Sequence, residues 1–218
     1  MIEAIVFDFD GVLANSEPLH FHALRELLAS LGVRLTEEEY YARLVGYDDV
    51  GVFSILGAEH GWALDESSLA SLVARKSDIF ERLVATTDVL FPTALPCIER
   101  LGAAFPLGIA SGALPHEIRA ILRRYRIEDR FRFIVASGDT PLSKPAPDPY
   151  ARAAALHGLP PASCLAIEDS RWGIESAKAA GLMCVGITTT YPADALAAAD
   201  RIIDSLDEFT PALLAGLG

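Results

Sequence analysis

Short apolar runs alternate with helical segments along most of this chain, and this alternation limits the possible folds more than any other feature. Six runs of strand length are bounded by Gly, Pro, Ser or Asp, and they lie at residues 3–9, 106–112, 131–138, 163–169, 183–188 and, more weakly, 200–204. Amphipathic segments follow at residues 115–127, 148–159 and 170–182. Apolar strands separated by helices are typical of a parallel sheet that is covered on both faces. The alternation predicts an α/β fold with a doubly wound parallel sheet.

One interval departs from this alternation. Between about Ser16 and Thr87 the sequence has helical periodicity at residues 19–32, 36–46 and 67–85, and no convincing strand. A helical block placed directly after the first strand indicates a small bundle inserted into the sheet domain. We predict an α/β core formed by residues 1–14 and 88–218, and a helical domain at residues 15–87. The Ala-rich stretch 193–200 is predicted to form a surface helix.

The charge of the chain excludes some classes of partner. The formal net charge is −12 over 218 residues. Such a charge repels nucleic acids and anionic membrane surfaces, so neither is expected as a partner. An anionic substrate therefore needs local positive charge. No apolar stretch approaches the roughly 20 residues that span a bilayer.

The N-terminus and the cysteines indicate the compartment. The first apolar run contains Glu3 and breaks at Asp8, which is unlike a signal peptide. The three cysteines are Cys97, Cys164 and Cys184, and none has a CxxC or His-rich spacing. We expect them to be buried thiols and the protein to be cytoplasmic.

Polar side chains follow four of the predicted strands. They are Asp8 and Asp10 after the first, Ser111 with Gly112 after the second, Lys144 beyond the third, and Glu168 with Asp169 at the end of the fourth. Ligands of open α/β sheets bind at the carboxyl ends of the strands. These side chains are therefore expected at one edge, where four carboxylates would repel one another unless a cation lay among them. Carboxylate oxygens suit Mg²⁺.

Each acidic pair also has a structural interpretation. Asp8 and Asp10 share a face of an extended chain, roughly 7 Å apart, and so can serve one substrate and one metal; alternatively Asp10 forms a turn with Gly11. Glu168 and Asp169 suit a metal site, or they are acids at the start of a helix. Ser170 alone is able to cap that helix.

The other polar residues also have both a functional and a structural interpretation. Lys144 is held extended by the following proline and lies on a strongly acidic chain, which favours an anionic partner over a solvated side chain. Ser111 and Gly112 form either an ordinary turn or a phosphate site built from a hydroxyl and free backbone N–H groups.

In this order the motifs resemble the haloacid dehalogenase superfamily, in its phosphatase and phosphomutase branch. The matching stretches are "DFDGV" at 8–12, "SG" at 111–112, "KPAPDPY" at 144–150 and "EDSRWGIESAKAAG" at 168–181. The resemblance is to the subgroup that contains β-phosphoglucomutase, phosphoglycolate phosphatase and sugar-phosphate phosphatases. The helical block corresponds to that family's cap, and the sheet domain to its Rossmann-like core.

The resemblance implies a role for each matched residue. Asp8 would be the nucleophile that forms an aspartyl-phosphate and would also bind Mg²⁺. Asp10 would be the general acid and then the general base, with its backbone carbonyl as a metal ligand. Ser111 and Lys144 would hold the phosphoryl group, with Gly112 beside them. Glu168 and Asp169 would complete the metal site.

The predicted cap carries the residues expected to choose the substrate. His20 and Lys76 match substrate-contacting residues of β-phosphoglucomutase. The alternative interpretations are that His20 is an ordinary core or surface histidine and that Lys76 is a solvated lysine. After Gly46 the mutase has an arginine that binds a distal phosphate, whereas this chain has Asp48 and Asp49. An acid there repels a second phosphate.

Three functions follow in order of preference. The first is a Mg²⁺-dependent phosphatase acting on a small phosphorylated metabolite, either a sugar or an organic acid phosphate, in a monomeric protein. The second is a phosphosugar mutase of the β-phosphoglucomutase type. The third is a non-catalytic binding protein on the same scaffold.

Overall fold

The chain folds into two compact units. The structure is a computed structural model that describes residues 1–45, 47–210, 213, 214 and 216. One unit comprises Met1–Ser16 and Val89–Gly218, and the other comprises Glu17–Asp88. We call them the core unit and the cap unit. The boundaries lie within two residues of those expected at 15 and 87, and the functional roles assigned to the two units stay predictions. Gly46 lies outside the described residues.

The core unit is built on a six-stranded parallel sheet. Its strands are β1 (Ala4–Phe7), β2 (Leu107–Ala110), β3 (Phe131–Val135), β4 (Cys164–Glu168), β5 (Met183–Ile187) and β6 (Arg201–Ile203). Their order in the sheet is β3-β2-β1-β4-β5-β6. The predicted α/β fold with a doubly wound parallel sheet is confirmed, including its weakest strand, β6.

The strand order determines where a site can form. Ile5 in β1 lies opposite Leu107 of β2 on one side and Leu165 of β4 on the other. The direction of winding therefore reverses between β1 and β4. A crevice opens at such a reversal, outside the carboxyl ends of the two strands. Asp8 directly follows β1, and Glu168 is the last residue of β4.

The described residues of the cap unit form four α-helices. They are α1 (Glu17–Ser30), α2 (Glu37–Arg43), α3 (Asp49–His60) and α4 (Glu66–Val84). Thr36, Asp48 and Asp65 accept hydrogen bonds at the starts of α2, α3 and α4, as helix-capping residues do. The unit has its own core, with Phe21 of α1 and Phe53 of α3 among its buried residues.

Four further α-helices are named in the part of the core unit that the structure describes. They are α5 (Ala94–Gly102), α6 (Pro115–Arg124), α7 (Asp148–His157) and α8 (Arg171–Ala179). Ala4 of β1 and Ala166 of β4 share a buried cluster with Tyr150 of α7 and Ile174 of α8. Alanine side chains on the strands let these two helices pack closely on the sheet. All residues of β1 and β4 are buried, as expected for strands covered on both faces.

The predicted surface helix at residues 193–200 is wrong. The segment forms only a 3₁₀ helix, Ala193–Leu196. Leu196 is completely buried, and a Cβ added to Gly186 of β5 would lie 3.3 Å from the Cβ atoms of both Leu196 and Ala199. The segment therefore packs on β5 and must reach β6 at Arg201, which leaves room for about one turn.

The three cysteines are buried and free. Cys97 lies in α5, Cys164 in β4 and Cys184 in β5. Among the residues that the structure describes, no helix combines the length and the apolar character needed to cross a bilayer.

We expect Gly108→Ala to destabilise the core unit by about 1–3 kcal/mol, because overpacking displaces buried neighbours. A Cβ at Gly108 would lie 2.4 Å from the nearest ring atom of Phe133, and that ring packs edge-on against His157. Urea unfolding measures the difference. The control is Gly112→Ala, where no atom lies within 4 Å of the added Cβ. Equal stability of the two variants would contradict the packing seen around Gly108.

Candidate active site

Three buried carboxylates meet where β1 and β4 end. Asp8 follows β1, while Glu168 and Asp169 lie at the end of β4. One oxygen from each carboxylate lies within 4.8 Å of the other two. Isolated buried carboxylates are very unfavourable, so a cluster of this kind requires positive charge.

Lys144 supplies one positive charge. Its Nζ lies 2.6 Å from Oδ1 of Asp8 and 2.6 Å from Oε1 of Glu168. The lysine lies in the loop between β3 and α7, so the contact joins the ends of β1 and β4 to the loop that follows a third strand. One ammonium balances only one of three ionised carboxylates.

Glu168 is bound at both of its oxygens. Oε1 also accepts a hydrogen bond of 2.7 Å from the hydroxyl of Tyr150, and Oε2 accepts one of 3.2 Å from the hydroxyl of Ser170. A Cβ at Gly173 would lie 1.8 Å from Oε1, so a glycine at this position leaves the space that the carboxylate fills. Ser170 also caps α8, as predicted, by accepting from the N–H of Gly173.

Burial changes the protonation of the cluster. It raises the pKa of Asp8 to about 8; the charge of Lys144 opposes this rise, and the charges of Glu168 and Asp169 add to it. Burial and the charge of Glu168 raise the pKa of Asp169 to about 7. Burial alone would lower the pKa of Lys144, but Asp8 and Glu168 raise it above its ordinary value, so the lysine stays charged. The lysine alone therefore does not keep all three carboxylates ionised near neutral pH.

This chemistry fits a hard divalent cation. Carboxylate oxygens are preferred ligands of Mg²⁺, and a cation would stabilise the ionised forms of Asp8 and Asp169. The backbone also leaves space for Asp169: Gly11 has φ +79°, and a Cβ there would lie 1.9 Å from Oδ2 of Asp169. A side chain at Gly11 would occupy the position of that oxygen.

Asp10 lies in the turn after β1 and is half-buried. Its Oδ1 accepts a hydrogen bond from the hydroxyl of Ser16. The N–H of Gly11 donates to the carbonyl of Ala14 over 2.8 Å, which closes the turn. The cluster of three carboxylates does not include that of Asp10. Its expected contribution to a metal site is its backbone carbonyl, which stays a prediction, as do its acid and base roles.

Ser111 directly follows β2, the neighbour of β1, and therefore lies at the same edge of the sheet. It is buried, and its hydroxyl oxygen accepts from the N–H of Ala113 over 3.1 Å. Gly112 is exposed. The geometry is that of a strand-to-helix turn, and the phosphate-binding role of both residues stays a prediction.

The cap unit holds its own polar cluster around a buried lysine. Nζ of Lys76 lies 2.7 Å from Nδ1 of His20 and 3.0 Å from Oδ1 of Asp49. The His20 ring stacks on Phe80 at 4.4 Å between centroids. Burial and the charge of Lys76 lower the pKa of His20, which keeps the imidazole neutral. Because the lysine side chain is only 2% exposed, it is an ion-paired group and not a solvated charge.

Comparison with known proteins identifies the family. Residues 2–181 match the family model described as haloacid dehalogenase-like hydrolase. The chain therefore belongs to the haloacid dehalogenase-like hydrolase family, as the order of its motifs predicts, and it is a hydrolase.

Individual relatives cover nearly the whole chain. Hexitol phosphatase B from Escherichia coli is 28% identical, with 99% of this chain and 97% of that protein aligned. β-Phosphoglucomutase from Bacillus subtilis is 31% identical over 98% of this chain and 94% of that protein. The crystal structure of CbbY from Rhodobacter sphaeroides in complex with phosphate superposes with a TM-score of 0.86 at 30% identity, covering 100% of this chain and 99% of that one.

We expect the metal-free protein to lose stability as the pH rises from about 4 to about 8, between the unfolded and folded pKa values of Asp8 and Asp169. In the folded state Asp8 and Asp169 keep protons that carboxyls with the ordinary pKa of 3.8 have already released in the unfolded chain. Their contribution to the free energy of unfolding is therefore fully present below about pH 4. It is lost as the pH rises through the folded-state pKa values of about 7 and about 8. Urea unfolding in EDTA at each pH measures the slope of the free energy of unfolding against pH.

Two comparisons test the origin of this slope. Asp8→Asn removes one of the two groups and should flatten it, and Mg²⁺ in place of EDTA should stabilise the wild-type protein most at the high-pH end. A slope that Asp8→Asn leaves unchanged would assign the pH dependence to other groups.

Proposed function

We propose that the protein is a Mg²⁺-dependent phosphatase that hydrolyses a small phosphorylated metabolite, a sugar or organic acid phosphate, through an aspartyl-phosphate on Asp8. The observation that carries the proposal is the ammonium of Lys144, which lies between Asp8 and Glu168 in a buried cluster of three carboxylates. Family membership supports it, as do a relative named as a phosphatase and a similar structure that contains phosphate.

The first half of the reaction uses both aspartates of the first motif. A carboxylate oxygen of Asp8 attacks phosphorus, and the bond between phosphorus and the leaving oxygen breaks. Asp10, protonated, gives its proton to that oxygen, so the product leaves as an alcohol. In the second half Asp10, now a carboxylate, takes a proton from water. That water attacks phosphorus, which releases inorganic phosphate and restores Asp8.

The other residues hold the group that is transferred. Lys144 is already within 2.6 Å of Asp8 and would neutralise charge on the phosphoryl oxygens, with Ser111 and the backbone of Gly112 as further donors. Asp8, the carbonyl of Asp10, Glu168 and Asp169 would hold Mg²⁺. When bound, the ion would offset the repulsion between an anionic nucleophile and an anionic phosphate.

A phosphosugar mutase is the second candidate. The similarity to a β-phosphoglucomutase over nearly the full chain favours it. A mutase of this type must accommodate two phosphates in its intermediate. We propose that His20 and Lys76 contribute to substrate selection; in this chain the charge of Lys76 is already matched by Asp49 at 3.0 Å. That pairing leaves less positive charge for a second phosphate and favours hydrolysis. The complete set of acidic residues and lysine argues against a non-catalytic binding protein.

We expect Asp8→Asn to reduce turnover by at least about 1,000-fold, because an amide is not a nucleophile towards phosphorus. Phosphate release is measured on a panel of sugar, hexitol and organic acid phosphates, with Mg²⁺ and with EDTA. The matched control is Asp129→Asn, which makes the same change at an exposed position of the core unit. Turnover retained in Asp8→Asn would exclude the aspartyl-phosphate mechanism, and no release by the wild-type protein from any ester would exclude the phosphatase.

Asp49→Asn should raise kcat/KM for sugar bisphosphates relative to monophosphates by about tenfold, since it removes one of the groups that offset the charge of Lys76. The control Asp78→Asn removes one negative charge from an exposed position of α4 and should leave that ratio unchanged. Conversion of a hexose 1-phosphate that depends on added bisphosphate, with little phosphate released by the wild-type protein, would favour the mutase instead.

A further inference from the structure

The hydroxyl of Tyr150 is buried where the packing does not require it. The residue is completely buried in the first turn of α7, and it belongs to a cluster of mostly small apolar residues that includes Ala4 and Ala110. A phenylalanine would fill nearly the same space without a polar atom. A buried hydroxyl is unfavourable unless it is hydrogen-bonded, and this one donates to Oε1 of Glu168 over 2.7 Å.

Tyr150 contacts both members of the buried ion pair. Oε1 of Glu168 accepts from Nζ of Lys144 over 2.6 Å as well as from Tyr150. The same Nζ lies 5.0 Å from the centroid of the Tyr150 ring, within the range of a cation–π contact. The first and last residues of the short segment 144–150 therefore both donate to the same oxygen, Oε1 of Glu168.

The surroundings keep this segment and this carboxylate in place. The hydroxyl of Ser176 in α8, itself fully buried, donates to the carbonyl of Ala146 over 2.5 Å. Ser170 donates to the second oxygen of Glu168. Glu168 is thus fixed from two sides, and the hydroxyl of Tyr150 is one of three side-chain donors that fix it.

We propose that Tyr150 is a positioning residue that orients Glu168, and through it Lys144, for phosphoryl transfer. The proposal rests on the proposed function. In the resting site Lys144 is shared between Asp8 and Glu168. Once an oxygen of Asp8 bonds to phosphorus, Glu168 remains as the carboxylate that directs the ammonium. The orientation of Glu168 then decides whether the ammonium meets the charge that develops on the phosphoryl oxygens.

The test is Tyr150→Phe, which removes one oxygen and keeps the ring beneath the ammonium. With the ester that the wild-type protein hydrolyses fastest, kcat should fall about tenfold while KM changes less than about twofold, because the lost orientation matters most in the transition state. A purely structural role would lower the melting temperature and leave kcat unchanged below it, and that result would overturn the proposal.

The control is Tyr125→Phe. It removes the same atom from the same unit, where the hydroxyl accepts from the N–H of Val89 over 3.0 Å. It should affect stability and leave kcat within about twofold of wild type. An equal loss of kcat in both variants would also overturn the proposal.

A second measurement does not depend on turnover. Crystal structures of the wild-type protein and of Tyr150→Phe should differ at Glu168, whose Oε1 is expected to move beyond about 3.5 Å from Nζ of Lys144 in the variant. An unchanged distance would overturn the positioning role even if kcat falls. If the wild-type protein releases phosphate from no ester, the proposed function fails and this comparison still decides how Tyr150 acts on Glu168.

Discussion

The contact between Lys144 and two carboxylates is the interaction on which the candidate site depends. The ammonium lies 2.6 Å from both Asp8 and Glu168, and those residues come from the ends of two adjacent parallel strands. Without the lysine, three carboxylates would share a buried space with no counter-charge. Removal of one partner from a buried ion pair costs about 3–5 kcal/mol. The ammonium of Lys144 is therefore what makes a buried cluster of carboxylates tolerable at this position.

Backbone geometry makes room for this cluster. Gly11 and Gly173 lie where added Cβ atoms would overlap the carboxylates of Asp169 and Glu168. The strand order places β1 beside β4, so the turn containing Gly11 and the start of α8 approach one another at the reversal of the sheet. The two glycines are thus needed for space at the site, and Gly11, with φ +79°, is also needed for its backbone conformation.

The sequence was sufficient to predict the sheet and the residues at its edge. Apolar runs with the length of buried strands predict all six strands, and the rule that ligands bind at their carboxyl ends predicts that Asp8, Lys144, Glu168 and Asp169 lie together. The hydrogen bond from Tyr150 was not predictable in this way, because a tyrosine on the buried face of an amphipathic helix looks like any other core residue. The 193–200 segment was predicted wrongly because alanine content indicates helix propensity, whereas the burial of Leu196 against β5 decides the length of the element.

The two units differ in how their ionisable groups are balanced. The core unit gathers three carboxylates around one lysine, so that with all three ionised it would carry excess negative charge, which a divalent cation would balance. In the cap unit Lys76 is paired with Asp49 and lies against a neutral His20, so its positive charge is already matched. Excess charge favours binding of an ion, whereas a matched pair contributes orientation and hydrogen bonding more than net attraction.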